Sequence, residues 1–275
     1  MIGVFDSGFG GLTILRSIRR LLPQYDYLYL GDNARTPYGS RSFEVVYEYT
    51  LQAVRYLFSE GCSLVILACN TASAKALRSI QQRDLPLLWN DNPLLRVLGI
   101  IRPTAEIIGQ YSATKHIGVL ATQGTVASES YLKEIEKQSP LLTVTQQACP
   151  MWVPLVENAE HTGDGADYFV RKYIDEIMHK DPHIDTLLLA CTHYPLLEDK
   201  IRKYLPSGVR LLEQGDIVAN SLKDYLQRHT DLDSMLSKNS LCRYLTTESP
   251  RLFAQNAGIF LNQQVTAQHI ELTSF

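Results

Sequence analysis

The sequence predicts an α/β protein made of two pseudo-symmetric, doubly wound domains with mainly parallel sheets and the active site in the cleft between them. Three observations carry this. Short apolar runs alternate with helix-length amphipathic segments from end to end. Some runs, Leu64 to Ala68 above all, are apolar without interruption, as a strand covered on both faces must be. Two segments also recur in order: Ile2-Gly3-Val4 returns as Ile117-Gly118-Val119, and Leu67-Ala68-Cys69 as Leu189-Ala190-Cys191.

Taken in order, Gly3 to Phe5 reads as a strand and Leu12 to Leu22 as a helix stopped by Pro23. Tyr27 to Leu30 is a strand, and Ser42 to Glu60 a long helix closed by Gly61. Leu64 to Ala68 is followed by a helix over Thr71 to Gln82. Val97–Ile101, Ile117–Ala121, Leu142–Thr145, Thr186–Ala190 and Val209–Leu212 read as further strands. Helices fit at about 103–110, 126–138, 165–180, 196–204 and 216–228. The tail from Cys242 reads as strand, helix, strand. The polar, irregular stretch Leu88-Trp89-Asn90-Asp91-Asn92-Pro93 marks a junction. The expected first domain is therefore 1–95 plus 211–275, and the second 96–210.

Composition excludes several function classes. Lys+Arg is 26 against 29 for Asp+Glu, a net charge of -3, without the basic excess of a nucleic-acid or anionic-membrane binder. No apolar run is long enough to span a bilayer, and the N-terminus lacks signal-peptide character, so a cytoplasmic location is expected. Five scattered cysteines do not make a disulfide framework, and no CxxC pair announces a zinc site, so no metal is expected.

The sharpest chemical features are Cys69 and Cys191. Each ends an apolar strand and precedes a polar turn that opens a helix, where open α/β sheets bind ligands. A helix N-terminus favours the thiolate. One such cysteine alone reads as a small buried hydrophobe. Two, at matched positions of two similar halves, read as groups facing each other across a cleft. Asp6-Ser7-Gly8 ends the first strand, but Thr13 stands where the dinucleotide fingerprint needs its third glycine, and no P-loop Lys follows. Its glycines instead allow close backbone approach. Asp6 either orients a thiol or caps the next helix. Asp32-Asn33 and Pro37-Tyr38-Gly39-Ser40 end the second strand, Thr122, Gly124 and Thr125 follow a strand of the second half, and Thr192 and His193 follow Cys191. His193 is a plausible proton partner for that thiol. Glu157 is a lone charge after an apolar stretch, and Cys62, Cys149 and Cys242 read as structural.

At this point the chain resembles the bacterial glutamate racemases. The resemblance rests on five motifs in order: Gly3-Val4-Phe5-Asp6-Ser7-Gly8-x-Gly10-Gly11-Leu12-Thr13, Gly31-Asp32-x-Ala34-Arg35-x-Pro37-Tyr38-Gly39, Ala68-Cys69-Asn70-Thr71-Ala72-Ser73, Val153-Pro154-Leu155-Val156-Glu157 and Cys191-Thr192-His193-Tyr194-Pro195-Leu196-Leu197. It covers about residues 2–230. It implies interconversion of L- and D-glutamate without a cofactor, supply of D-glutamate for peptidoglycan, and a homodimer. It also implies roles. Cys191 takes the proton from L-glutamate and Cys69 from D-glutamate; Asp6 supports Cys69; His193 supports Cys191; Glu157 belongs to the same polar shell. Ser7, Pro37, Tyr38, Gly39, Asn70, Thr71, Thr122, Thr125 and Thr192 match substrate-contacting positions, joined by Asp6, the two cysteines and His193. Two segments depart from the family pattern: Arg102-Pro103-Thr104 replaces Glu-Pro-Gly, and Glu213-Gln214-Gly215 replaces Asp-Ser-Gly or similar.

Three competing readings stand beside this one. Aspartate racemases of the same superfamily typically carry Glu where this chain has His193. A binding module without turnover would not need complete Asp6/Cys69 and Cys191/His193 pairs. A thiolate metal site would use Cys69, Cys191 and His193, and metal analysis separates it.

Overall fold

In a computed structural model, residues 1–89 and 92–272 are described. Asn90 and Asp91 of the expected junction, and residues 273–275 of the tail, lie outside the described residues. The strands in chain order are β1 (Ile2–Asp6), β2 (Tyr27–Gly31), β3 (Leu64–Leu67), β4 (Arg96–Gly99), β5 (His116–Ala121), β6 (Thr143–Ala148), β7 (Thr186–Ala190), β8 (Arg210–Leu212), β9 (Cys242–Thr246) and β10 (Ala267–His269). They form a six-stranded sheet in the order β10-β9-β2-β1-β3-β4 and a four-stranded sheet in the order β6-β5-β7-β8. Every pairing among the described residues is parallel.

The order β2-β1-β3-β4 repeats as β6-β5-β7-β8, so the two recurring tripeptides fall on equivalent strands, β1 with β5 and β3 with β7. The first sheet carries β9 and β10 as an added edge beyond β2. Sheet membership corrects the expected boundaries. A cut at 95/96 would sever β4 from β3, its hydrogen-bonded neighbour in the first sheet, and a cut at 210/211 runs through β8, which pairs with β7 in the second.

The main helices are α1 (Gly11–Leu21), α2 (Phe43–Ser59), α3 (Asn70–Lys75), α4 (Ile101–Ile107), α5 (Gln123–Ser128), α6 (Ser130–Gln138), α7 (Trp152–Glu157), α8 (Asp164–Lys180), α9 (Glu198–Tyr204), α10 (Gly215–Arg228), α11 (Thr230–Met235) and α12 (Pro250–Leu261). Two expected helices are broken. The helix over 71–82 gives way after Lys75 to shorter helical turns, one of them a π turn at Ile80–Asp84. The helix over 126–138 begins earlier, where the Thr122 hydroxyl caps the Thr125 N–H, and breaks at Glu129, whose φ is 55°. Helices α7 and α11 were not expected, because six residues are too few to establish a 3.6-residue period.

The central strands are buried on both faces. Along β1, Ile2 and Val4 pack with Leu12, Leu15 and Ile18 of α1, while Phe5 packs on the other side with Val46, Ala53 and Leu57 of α2. Each of those three α1 side chains is wholly buried and worth about 2 kcal/mol. This packing fixes where the carboxyl end of each strand points.

Candidate active site

The carboxyl ends of β1, β3, β5 and β7 converge on one cavity of about 140 Å³. Ser7, Thr36, Pro37, Tyr38, Gly39, Cys69, Asn70 and Thr71 line it from the first half, and Thr122, Gln123, Cys149, Pro150, Val153, Pro154, Cys191, Thr192 and His193 from the second. Both strand-end thiols therefore border the same space. Hydrogen bonds cross between the halves at its rim: Gly124 N–H donates to Gly39 O at 2.8 Å, and the Thr71 and Thr122 hydroxyls meet at 3.0 Å.

The two cysteines sit in unlike surroundings. Cys69 caps α3, and Ser73 N–H donates to its carbonyl at 2.9 Å in the α pattern. At the matching position after Cys191 stands Pro195, which has no N–H. Tyr194 N–H instead closes a tighter turn onto Cys191 O at 3.1 Å, followed by a 3₁₀ segment at Tyr194–Leu197. The expected helix N-terminus is thus present at Cys69 and absent at Cys191.

Their charge environments differ in the same way. Burial pushes the Cys69 thiol up to about 12, Asp6 adds to this, and the Ser7 hydroxyl at 3.5 Å and the Ala72 N–H oppose it only in part. At Cys69 desolvation outweighs the pull of the helix terminus toward the thiolate. Cys191 Sγ faces His193 Nδ1 at 3.9 Å, and His193 Nε2 donates to Glu157 Oε1 at 3.1 Å. Burial opposes a charged His193, but the Cys191 sulfur and the Glu157 carboxylate prevail and raise its pKa well above the ordinary value. One thiol is held protonated, and the other faces a cation.

Three expected residues do not line the cavity. Asp6 is fully buried behind the wall, accepting from Gly8 N–H at 2.9 Å and from the Thr192 hydroxyl at 3.3 Å. It makes no hydrogen bond to Cys69, and burial raises its own pKa. Thr125 is sealed behind Thr122 and Thr71. Glu157, the last residue of α7, lies behind His193 and also accepts from the Thr36 hydroxyl at 3.2 Å. Sequence reasoning missed Thr36 and Gln123 as lining residues. It also took Cys149 as purely structural; its thiol is fully buried, with Sγ 3.7 Å from Gln147 O, yet the residue borders the cavity. The position of Thr36 inside the Arg35-to-Pro37 turn was the available signal.

The tail reaches the site from outside. Thr247, just after β9, donates to Asp32 Oδ1 at 2.9 Å and accepts from Ala34 N–H at 3.0 Å. Asp32, fully buried, also accepts from Tyr38 OH and from Arg35 Nε at 2.7 Å, which fixes the loop carrying Pro37, Tyr38 and Gly39. The Phe260 ring of α12 stands edge-on to His193 with centroids 5.9 Å apart.

Comparison with known proteins adds the family. The model of the Asp/Glu/hydantoin racemases matches residues 2–222. The chain belongs to this family. A glutamate racemase of Dinoroseobacter shibae is 38% identical over 280 residues, covering 98% of both chains. Among solved structures, a glutamate racemase of Bacillus anthracis has a TM-score of 0.88 at 33% identity, over 99% of this chain and 97% of that one. The Francisella tularensis glutamate racemase in complex with D-glutamate has a TM-score of 0.84 at 30% identity, over 99% and 97%. The racemase motifs read from the sequence all fall within the matched 2–222, whereas β9, α12 and β10 lie beyond it. No helix among the described residues is long and apolar enough to cross a membrane. Among those residues, no group of three or more His, Cys, Asp and Glu side chains could hold a metal ion.

Proposed function

We propose that this racemase-family protein interconverts L- and D-glutamate by a two-thiol proton transfer. The observation that carries this reading is the pair of strand-end cysteines bordering one small buried cavity, with His193 3.9 Å from the Cys191 sulfur. The Cys191 sulfur, as thiolate, takes the α-proton of L-glutamate and becomes a thiol. The electron pair left on Cα takes the Cys69 proton on the opposite face, leaving Cys69 as thiolate. Return of one proton from solvent to Cys69 and loss of one from Cys191 restores the start. No cofactor enters this cycle.

A Cα–H beside a carboxylate is a poor acid, so the developing negative charge needs fixed donors in a site shielded from water. Asn70, Thr71 and Thr122 carry amide and hydroxyl groups at the cavity wall, each at most 7% exposed. The high pKa of Cys69 suits it as the donor in the L-to-D direction. His193 rather than a carboxylate beside Cys191 favours glutamate over aspartate. The named relatives are glutamate racemases, which supports the same choice. On this reading the D-glutamate serves peptidoglycan assembly, and the family resemblance favours a homodimer in the cytoplasm.

The test is loss of circular dichroism from pure L-glutamate, with L-aspartate in a parallel run. The reading predicts decay to zero signal with glutamate and little change with aspartate. Decay with aspartate alone would assign the neighbouring substrate, and decay with neither would leave a binding module.

A further inference from the structure

The two segments that depart from the family pattern meet each other inside the protein. Residues 100–104 carry the chain out of the first sheet after β4, and Gln214 carries it back after β8. Gln214 Nε2, with two hydrogens to give, lies within donating distance of Tyr131 OH at 2.7 Å, Thr104 Oγ1 at 2.9 Å and Ile100 O at 3.2 Å. Its Oε1 accepts from Asn70 Nδ2 at 2.9 Å, and Tyr131 OH donates to Asn70 Oδ1 at 2.6 Å. All four side chains are at least 97% buried.

Hydrogen-bond chemistry fixes which way the two amides face. The Ile100 carbonyl can only accept, so the Gln214 amide must turn its nitrogen that way. Tyr131 then receives a proton from Gln214 and has its own to give, so the Asn70 oxygen must face Tyr131. The Asn70 nitrogen is left facing the Gln214 oxygen. The ring Gln214–Tyr131–Asn70 closes with each member donating to the next, and the flip of the Asn70 amide is determined rather than free. Asn70 is the one member that lines the cavity.

We propose that Gln214 and Tyr131 are positioning residues that hold the Asn70 carboxamide in one orientation at the cavity wall and tie both chain crossings to it. This inference rests on the racemase reading above. Simple filling of a buried space would not need it, since apolar side chains of like shape fill space without polar partners. The ring ends instead on a cavity group beside Cys69.

The test is a double-mutant cycle on kcat/KM for L-glutamate, using Tyr131→Phe and Gln214→Met, each alone and combined with Asn70→Ala. Tyr131→Phe removes one oxygen and keeps the ring packing. With the Asn70 oxygen unanchored, kcat/KM should fall about tenfold, the cost of one net hydrogen bond to a buried group. Gln214→Met should cost at least as much. In the Asn70→Ala background each change should then alter kcat/KM less than about twofold, because its target is gone. Equal losses in both backgrounds, or a lowered melting temperature with unchanged kcat/KM, would overturn the proposal. The wild-type rate separates the two claims. An active wild type with additive losses removes only this inference, whereas a wild type that leaves L-glutamate unchanged removes the functional reading and the inference with it.

Discussion

At the scale of single residues, the asymmetry between the thiols is the feature with most consequence. Cys69 is protonated near neutrality because its surroundings are dry and hold Asp6. A thiol titrating at about 12 gains thiolate about tenfold per pH unit while the pH stays well below that value. Alkylation of Cys69 in a Cys191→Ser background should therefore accelerate about tenfold per unit between pH 7 and 9. A plateau near pH 8 would mean that the environment argument for Cys69 is wrong. Gly10 makes a different residue-scale claim. A β-carbon there would stand 2.2 Å from Thr192 Oγ1 and 2.5 Å from His193 Nδ1. Gly10→Ala should thus push the Cys191 turn away and lower kcat/KM by about 10²-fold or more, in line with the loss of a well-placed proton-transfer group. An alanine variant with near-normal turnover would show that the two halves have slack at this contact. Both cysteines and His193 were legible in the sequence because strand-end position and polar neighbours mark them locally. The raised pKa of Cys69 was not, since it depends on how much water the fold excludes.

At the scale of elements, the tail acts on the site through the loop after β2. It is anchored in turn at Asp26, which accepts from Asn239 N–H at 2.9 Å, Asn239 Nδ2 at 2.7 Å and Leu241 N–H at 3.0 Å. Burial alone would raise this carboxyl, but these donors and Ser237 hold it down to about 2. Its folded pKa lies below the ordinary carboxylate value of about 4, so the stabilisation is fully present above pH 4 and is lost as pH falls through 2. Asp26→Asn should cost on the order of 1–2 kcal/mol at pH 7, after allowance for solvent screening. Chemical denaturation at a series of pH values should find the gap between variant and wild type closing toward pH 2. A gap independent of pH would contradict the assignment. The strand–helix–strand order of the tail was readable from its pattern, but its attachment beside β2 was not, because parallel pairing between distant segments leaves no local mark. The boundaries missed for the same reason: β4 and β8 are short strands whose sheet is chosen by partners far along the chain.

At the scale of the whole molecule, two sheets with the same strand order bring two unlike thiols to one cavity from opposite halves. The internal echo in the sequence carried that much, because equivalent strands in equivalent places end on equivalent residues. The network joining Gln214, Thr104 and Asn70 was invisible there, since its members are scattered and ordinary in type. The central claim is that each thiol serves one face of Cα. Replacing either Cys69 or Cys191 by Ser should lower racemisation by about 10²–10⁴-fold, the usual worth of a placed acid or base, with the melting temperature little changed. The most direct measurement is proton exchange during turnover in D₂O, started from L-glutamate and stopped early. The two-thiol account predicts deuterium at Cα of the D-glutamate formed, while the recovered L-glutamate stays nearly unlabelled, because the thiol that takes its proton is not the one that delivers deuterium. Rapid labelling of the recovered L-glutamate would mean that one base serves both faces, and would contradict the account.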